Sequence, residues 1–256
     1  MTKQLGLDTE ALKISLITVC FNAEKTIERT INSVLSQDYE NVEYIVIDGL
    51  SRDRTMQIVN QYKDQIAITV SEKDLGMYDA LNKGIKLSNG HIIGILNADD
   101  AFTSQNVLSL IAESFVQNPD IEAVIGNIVF VNNQEKIVRY YSSEGWTPEK
   151  FTRGFMPPHP SFYCKKEVFI KFGSYRTDFE IAADYELMIR YFKINSISYK
   201  YLPITMVNMK MGGKSTNGLI STIKINQEIL RACNLNGFKT NYLKLYLKYF
   251  FKIFEF

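Results

Sequence analysis

The sequence predicts an α/β fold, a mostly parallel Rossmann-like sheet flanked by helices, with a smaller and less regular second half. Three observations lead there. Apolar, β-branched runs recur through residues 13–102, each is followed by a stretch of helical periodicity, and polar groups stand just past the ends of the runs. Parallel neighbours need crossover connections, and a helix is the usual one.

The elements follow in order. "ISLITVCF" (Ile14 to Phe21) is a continuous apolar run that fits a strand covered on both faces, and "AEKTIERTINSVLSQ" changes to helical spacing at Ile27, Ile31, Val34 and Leu35. "VEYIVIDG" is a second strand ending in a carboxylate and a glycine, and "RDRTMQIVNQY" is helical again at Met56, Ile58, Val59 and Tyr62. "IAITVSE", "GMYDALNKGIKLS" and "HIIGILN" supply a third strand, a third helix and a fourth strand. After a fourth helix, "SQNVLSLIAESFVQ", the stretch "IEAVIGNIVFVNNQEKIVRYYS" reads as two strands with a hairpin around Asn132, Asn133 and Gln134. A Pro-rich loop ("FMPPHPSFY"), an amphipathic region ("FEIAADYELMIRYF") and an aromatic, lysine-punctuated tail close the chain. The organisation expected is a main domain over 1–215, with halves 13–102 and 103–215, and a helical extension over 216–256.

Composition narrows the function. With 46% hydrophobic and 22% charged residues in 256, the chain is globular. Its net charge of +1 gives no electrostatic case for nucleic-acid binding. Cys20, Cys164 and Cys233 are far apart and lack a C-x-x-C pair, which argues against a disulfide framework or a zinc site. No signal-like apolar region opens the chain and no run reaches the roughly 20 apolar residues of a spanning helix, so a cytoplasmic protein is expected, working at the inner face of the membrane if its partner lies there.

Ligands on open parallel sheets bind at the carboxyl ends of the strands, which is where Asn22, Asp48, Asp99 and Asp100 fall. The first strand is followed by "CFNAEKT", with no G-x-G-x-x-G, and "MGGKST" lacks the full P-loop pattern. A nucleotide bound here would have its phosphate charge met without a glycine-rich loop. A divalent cation on carboxylates does that, since Mg²⁺ and Mn²⁺ prefer oxygen ligands and magnesium often combines one or two carboxylates with substrate phosphates. The competing reading of "NADD" is a solvated turn or a helix cap.

"SLITVCFNAEKTIERTINSVLSQDYENVEYIVIDGLSRDRT", "SEKDLGMYDALNKGIKLSNGHIIGILNADD" and "DFEIAADYELMIR" together resemble the successive motifs of family 2 glycosyltransferases, over roughly residues 13–215. The resemblance implies the GT-A fold, a nucleoside-diphosphate sugar donor (UDP-sugars favoured), a divalent Mn²⁺ or Mg²⁺ cofactor, and direct displacement with inversion. It implies nucleotide contacts from Thr18, Asn22, Asp48 and Ser51. On the "GMYDALNKG" helix, where Ala80, Leu81, Gly84 and Ile85 would face the sheet, it leaves Asp79, Asn82 and Lys83 on the polar side, with Lys83 in reach of a phosphate. In "NADD" it makes Asp100 the direct metal ligand, with Asp99 on ribose or completing the metal's shell, while Asn97 replaces the more usual Asp. It makes Asp184 the general base, with Glu180 and Glu186 as competitors.

His159, in "PPHPS", is a candidate contact for acceptor or diphosphate, and Trp146 is either a sugar platform or core packing. Lys244, Lys248 and Lys252 recur at spacing four on the tail, which suits membrane-surface contact through 242–256 or docking on the chain's own domain or a second subunit. Similar processive polysaccharide synthases carry a Q-x-x-R-W motif and a membrane-spanning region, and the sequence shows neither, so the resemblance implies transfer of one sugar to a glycan or lipid-linked acceptor in surface polysaccharide synthesis. The alternatives are a sugar-phosphate nucleotidyltransferase and a non-catalytic carbohydrate-binding relative.

Overall fold

A computed structural model of the chain describes residues 12–211 and 218–251. The first four strands run parallel. β1 (Ile14–Cys20) lies between β2 (Val42–Asp48) and β4 (Ile92–Ile95), and β3 (Ile68–Ser71) pairs with β2 on the outer side. Every residue of β1 is buried because helices cover both faces of the sheet. Period-two alternation sorts them. Ile14, Leu16 and Cys20 join a core beneath α1 (Ile27–Leu35) and α2 (Thr55–Gln61), while Ile17 and Val19 join a second core beneath α3 (Met77–Leu87). Gly84 lets α3 settle on that face: a Cβ there would stand 2.5 Å from Ile17 Cγ2.

After β5 (Ala101–Phe102) and α4 (Val107–Gln117) the sheet becomes mixed. β6 (Ala123–Val131) forms a hairpin with β7 (Ile137–Tyr141), turning through Asn132–Glu135 as the sequence predicts. β8 (Tyr163–Lys165) is antiparallel to both β4 and β6, and β9 (Tyr199–Lys210) joins β6 to β5, giving the order β3-β2-β1-β4-β8-β6-β9-β5. One sheet therefore runs through both halves.

α5 (Lys166–Phe172), α6 (Ala183–Met188, continued by a π-helical turn to Ile194), α7 (Gly218–Leu235) and α8 (Tyr242–Phe251) complete the fold. The extension is part of the same body, since Ile229, Ala232, Cys233 and Leu245 lie in the core beneath α3. α8 packs on α7 and on the 3-10 turn Pro148–Arg153. Trp146 is core: it is buried edge-on against Phe151, Phe192 and Tyr199. Lys252, the side chain of Lys248 and all of "GGKST" lie outside the described residues.

Candidate active site

Chain order reverses at β1, whose neighbours are β2 on one side and β4 on the other, so a crevice opens past the carboxyl ends of these strands. Register brings Cys20, Asp48 and Ser71 level at that edge. Asp48 is fully buried and fully bonded. Its Oδ2 accepts from the Ser51 amide (3.0 Å) and Ser71 Oγ (2.6 Å), and its Oδ1 accepts from the Ser51 hydroxyl and from Cys20 Sγ at 3.7 Å.

That carboxylate shapes the rim. Ser51 Oγ in turn accepts the Asn22 amide at 2.8 Å, Asn22 Oδ1 accepts the Arg52 amide at 2.9 Å, and Thr55 and Asp53 bind the amides of Ala23 and Glu24. The lacing holds Asn22 and Leu50 in the left-handed region, at φ 51° and 65°, which non-glycine residues adopt only when the surroundings fix them. Gly49 lets the Asp74 carboxylate come close, as a Cβ there would lie 2.5 Å from Asp74 Oδ2 and push it aside. Phe21 (61% exposed) and Leu50 (53%) present apolar surface on this rim. The sequence reading missed both, although an apolar residue just past the end of a buried strand was a usable signal.

Thr18 is a correction. Alternation places it between Leu16 and Cys20 on the α1 face, where it is fully buried and its hydroxyl accepts from Tyr44 Oη at 3.1 Å, so it does not open onto a ligand.

The β4 strand delivers a turn of opposite character. Asp100 is fully buried and its carboxylate accepts from Asn97 Nδ2 at 3.3 Å and from the Lys210 backbone amide, yet Asp100 Oδ1 and Asn97 Oδ1 have no partner among the described residues. Burial and the neighbouring Asp99 hold the Asp100 carboxyl well above the usual range. Burial also raises Asp99, against the pull of Lys210 and Arg29. Two bare oxygens beside two acids form a hard-oxygen donor set that suits Mg²⁺ or Mn²⁺. Among the described residues no three His, Cys, Asp or Glu side chains gather into a preformed metal centre.

α3 borders the crevice. Asp79 accepts the Leu75 amide at 3.0 Å, and Lys83 Nζ contacts Glu72 (2.9 Å), Asp79 (3.5 Å) and the Lys73 carbonyl (3.0 Å). Asn82 exchanges two hydrogen bonds with the backbone of Tyr175, at 2.8 and 2.9 Å, and so ties the donor half to the wall opposite. A cleft of about 320 Å³ opens between the start of α3 and residues 177–180, with Glu228 of α7 on its side.

Asp184 stands just behind that cleft. Tyr78 Oη, which lines it, donates to the Ile181 carbonyl (2.5 Å) and reaches Asp184 Oδ1 at 3.4 Å, and the Tyr185 amide donates to the same oxygen at 2.8 Å. Burial lifts this carboxyl to about 6, against the amides and Tyr78 that favour the anion. The competitors are both engaged: Glu186 is buried in an ion pair with Arg190 at 3.0 Å, and Glu180 pairs with Lys224. His159 bonds Tyr175 Oη at 2.7 Å, and burial pushes it down to about 4, so it is neutral at physiological pH.

A family model described as glycosyl transferase family 2 matches residues 15–179, more than half of the chain. The chain is a family 2 glycosyltransferase. This glycosyltransferase is 31% identical over 187 residues to an uncharacterized glycosyltransferase of Mycobacterium tuberculosis, covering 71% of the chain and 70% of that relative. It is 29% identical over 188 residues, 72% of each, to the Escherichia coli UDP-Glc:alpha-D-GlcNAc-diphosphoundecaprenol beta-1,3-glucosyltransferase WfgD. Among solved structures it matches Staphylococcus aureus TarS with UDP-GlcNAc at a TM-score of 0.71 and 18% identity, over 88% of this chain and 66% of that one. The Pyrobaculum calidifontis mannosyltransferase PcManGT, with GDP-Man and Mn²⁺, matches at 0.68 and 17%, over 90% and 66%. The glycosyltransferase thus has the expected GT-A fold. Among the described residues no helix is long and apolar enough to cross a membrane.

Proposed function

We propose that this glycosyltransferase moves one sugar from a nucleoside-diphosphate sugar, a UDP-sugar first, to a hydroxyl of a glycan or lipid-linked acceptor, by single displacement with inversion. The observation that carries the reading is Asp184. Among the described residues it has no cation partner, it lies beside the cleft, and a carboxyl lifted to about 6 is ionised at neutral pH while still basic enough to take a proton. Similarity to WfgD, whose name gives a UDP-Glc donor and a diphosphoundecaprenol-linked acceptor, supports the donor and acceptor classes.

In this reading Asn22, Ser51 and the rim that Asp48 organises hold the nucleoside, with Phe21 and Leu50 offering apolar surface to the base. Asp79 sets the start of α3, and Lys83 stands ready to meet diphosphate charge. Asp100 and Asp99 would hold Mn²⁺ or Mg²⁺, and a cation there would neutralise charge on the departing diphosphate. Asp184 takes the proton as the acceptor oxygen attacks the anomeric carbon from the side opposite the leaving group, which inverts that carbon. α8 supports work at a membrane surface: it docks through Leu245 and leaves Leu243, Tyr242, Tyr246 and Lys244 exposed.

The test is thermal unfolding with UDP-, GDP- and dTDP-sugars, each with and without Mn²⁺. A UDP-sugar should raise the midpoint most, and only with the metal. If no nucleotide sugar stabilises the protein in a metal-dependent way, the reading fails.

A further inference from the structure

We propose that Glu228, a residue of the C-terminal helix α7, positions Asp184 by holding the three backbone amides that lead into α6. The proposal rests on the reading of Asp184 as the base. Glu228 Oε1 accepts the Glu180 amide at 2.9 Å, and its Oε2 accepts the amides of Ile181 and Ala182, both at 2.8 Å. Three successive N–H groups converge on one carboxylate, a charge-assisted arrangement that fixes the path of the backbone.

The local sequence explains the need. α6 begins after Ala182, whose methyl group cannot cap a helix, and no cap comes from the residue itself. Glu228 of α7, 46 residues beyond Ala182, takes the amides of the three residues that lead into the helix, while the Tyr185 amide in its first turn is met by Asp184 Oδ1 itself. The carbonyl side of the same turn is gripped by α3, because Tyr78 Oη bonds the Ile181 carbonyl and reaches Asp184 Oδ1. Asp184 is thus suspended between two helices, one in the donor half and one in the extension. Lys224–Glu180 and Arg231–Asp178 ion pairs flank the turn, but they are solvent-exposed and contribute little beside the amide bonds.

Charge gives this arrangement a signature that packing alone lacks. The titratable and charged groups facing Asp184 are the Tyr78 hydroxyl from α3, Tyr175 from the segment before α6, and Glu228 from α7; the nearby cations Lys224 and Arg231 are already paired. The negative charge of Glu228 makes Asp184 harder to ionise and hence a stronger base. The base must be ionised to work, so the rate falls as pH drops through about 6.

Glu228→Gln keeps the shape of the side chain, removes the charge and turns an NH₂ group toward amides that need an acceptor. The expected result is a kcat lower by about 10- to 100-fold, as for a base displaced by a fraction of an ångström. Donor affinity measured by titration calorimetry should stay within about twofold, and the acid limb of the kcat–pH profile should move to lower pH. An unchanged kcat, or a lower kcat with the acid limb unmoved, overturns the proposal. Asp184→Asn in the same assay separates the two readings. If it stays active, the base assignment is wrong; if it is inactive while Glu228→Gln behaves as wild type, only the positioning proposal fails. Should Glu228→Gln not fold by circular dichroism, Glu228→Asp takes its place: the retained charge should leave the limb where it is while the shorter reach lowers kcat. A shifted limb or an unchanged kcat in that variant overturns the proposal.

Discussion

Asp48 and Asp100 sit at the same edge of one sheet, both fully buried, and differ in every other respect. Asp48 ends β2 and receives an amide, two hydroxyls and a thiol. Asp100 follows β4 with a long bond from Asn97, the Lys210 backbone amide and a bare oxygen. A buried carboxylate whose lone pairs are filled by its own chain has become part of the scaffold, while one left short retains the capacity to bind a proton or a cation. Bonding state, more than burial, separates the acid that builds the site from the acid that completes it.

The comparison breaks most visibly at Asp100. In Asp100→Asn the metal-dependent rise in melting temperature should disappear, and transfer should fall by about 10³-fold, the equivalent of roughly 4 kcal/mol of lost stabilisation of the leaving diphosphate. The metal-free protein should melt no lower than wild type, because the variant removes an acid whose charged form is opposed by burial. Retained metal dependence would move the cation site elsewhere.

These contrasts were only partly legible in the sequence. The order of strands and helices through β4, the helix α4, and the gathering of Asn22, Asp48, Asp99 and Asp100 at one edge follow from apolar runs, period changes and the strand-end rule, whereas the two-residue β5 between β4 and α4 is too short to leave a pattern. Which carboxylate is saturated does not follow, since Ser71 lies on another strand and reaches Asp48 only through the register of β2 and β3. Thr18 was misplaced because its strand-end position outweighed the alternation that turns it inward. Glu228 left no mark at all: its partners are backbone amides, which every residue here possesses. Conversely, Ala80, Leu81, Gly84 and Ile85 are buried on α3 as the helical spacing requires, because that pattern is local.

Asp48→Asn should have an intermediate effect and the opposite sign on stability. One oxygen becomes an NH₂ group facing donors that have nothing to receive, at a cost of about 1–3 kcal/mol. For a chain of this size that lowers the melting temperature by roughly 2–4 °C per kcal/mol, with donor affinity falling as the 49–55 loop loosens. Calorimetric melting of the two asparagine variants side by side sharpens the comparison: a drop at Asp48 and none at Asp100 is the expected pair, and equal drops would show that both acids are scaffold.

The smallest effect is expected at Ser71. Its hydroxyl is one of four donors to Asp48, so Ser71→Ala removes a single bond and leaves the Ser51 amide, the Ser51 hydroxyl and Cys20 in place. Net loss for one such hydrogen bond is about 1 kcal/mol, which predicts a melting temperature lower by about 2–4 °C. Because the Asn22 and Arg52 amides remain tied through Ser51 and Asn22, the rim keeps its shape and UDP-sugar affinity should stay within about twofold. Titration of that variant with donor measures this directly. A tenfold loss of affinity would mean that the Ser71 hydroxyl itself faces the nucleotide, and that Asp48 is less completely absorbed into the scaffold than its four bonds indicate.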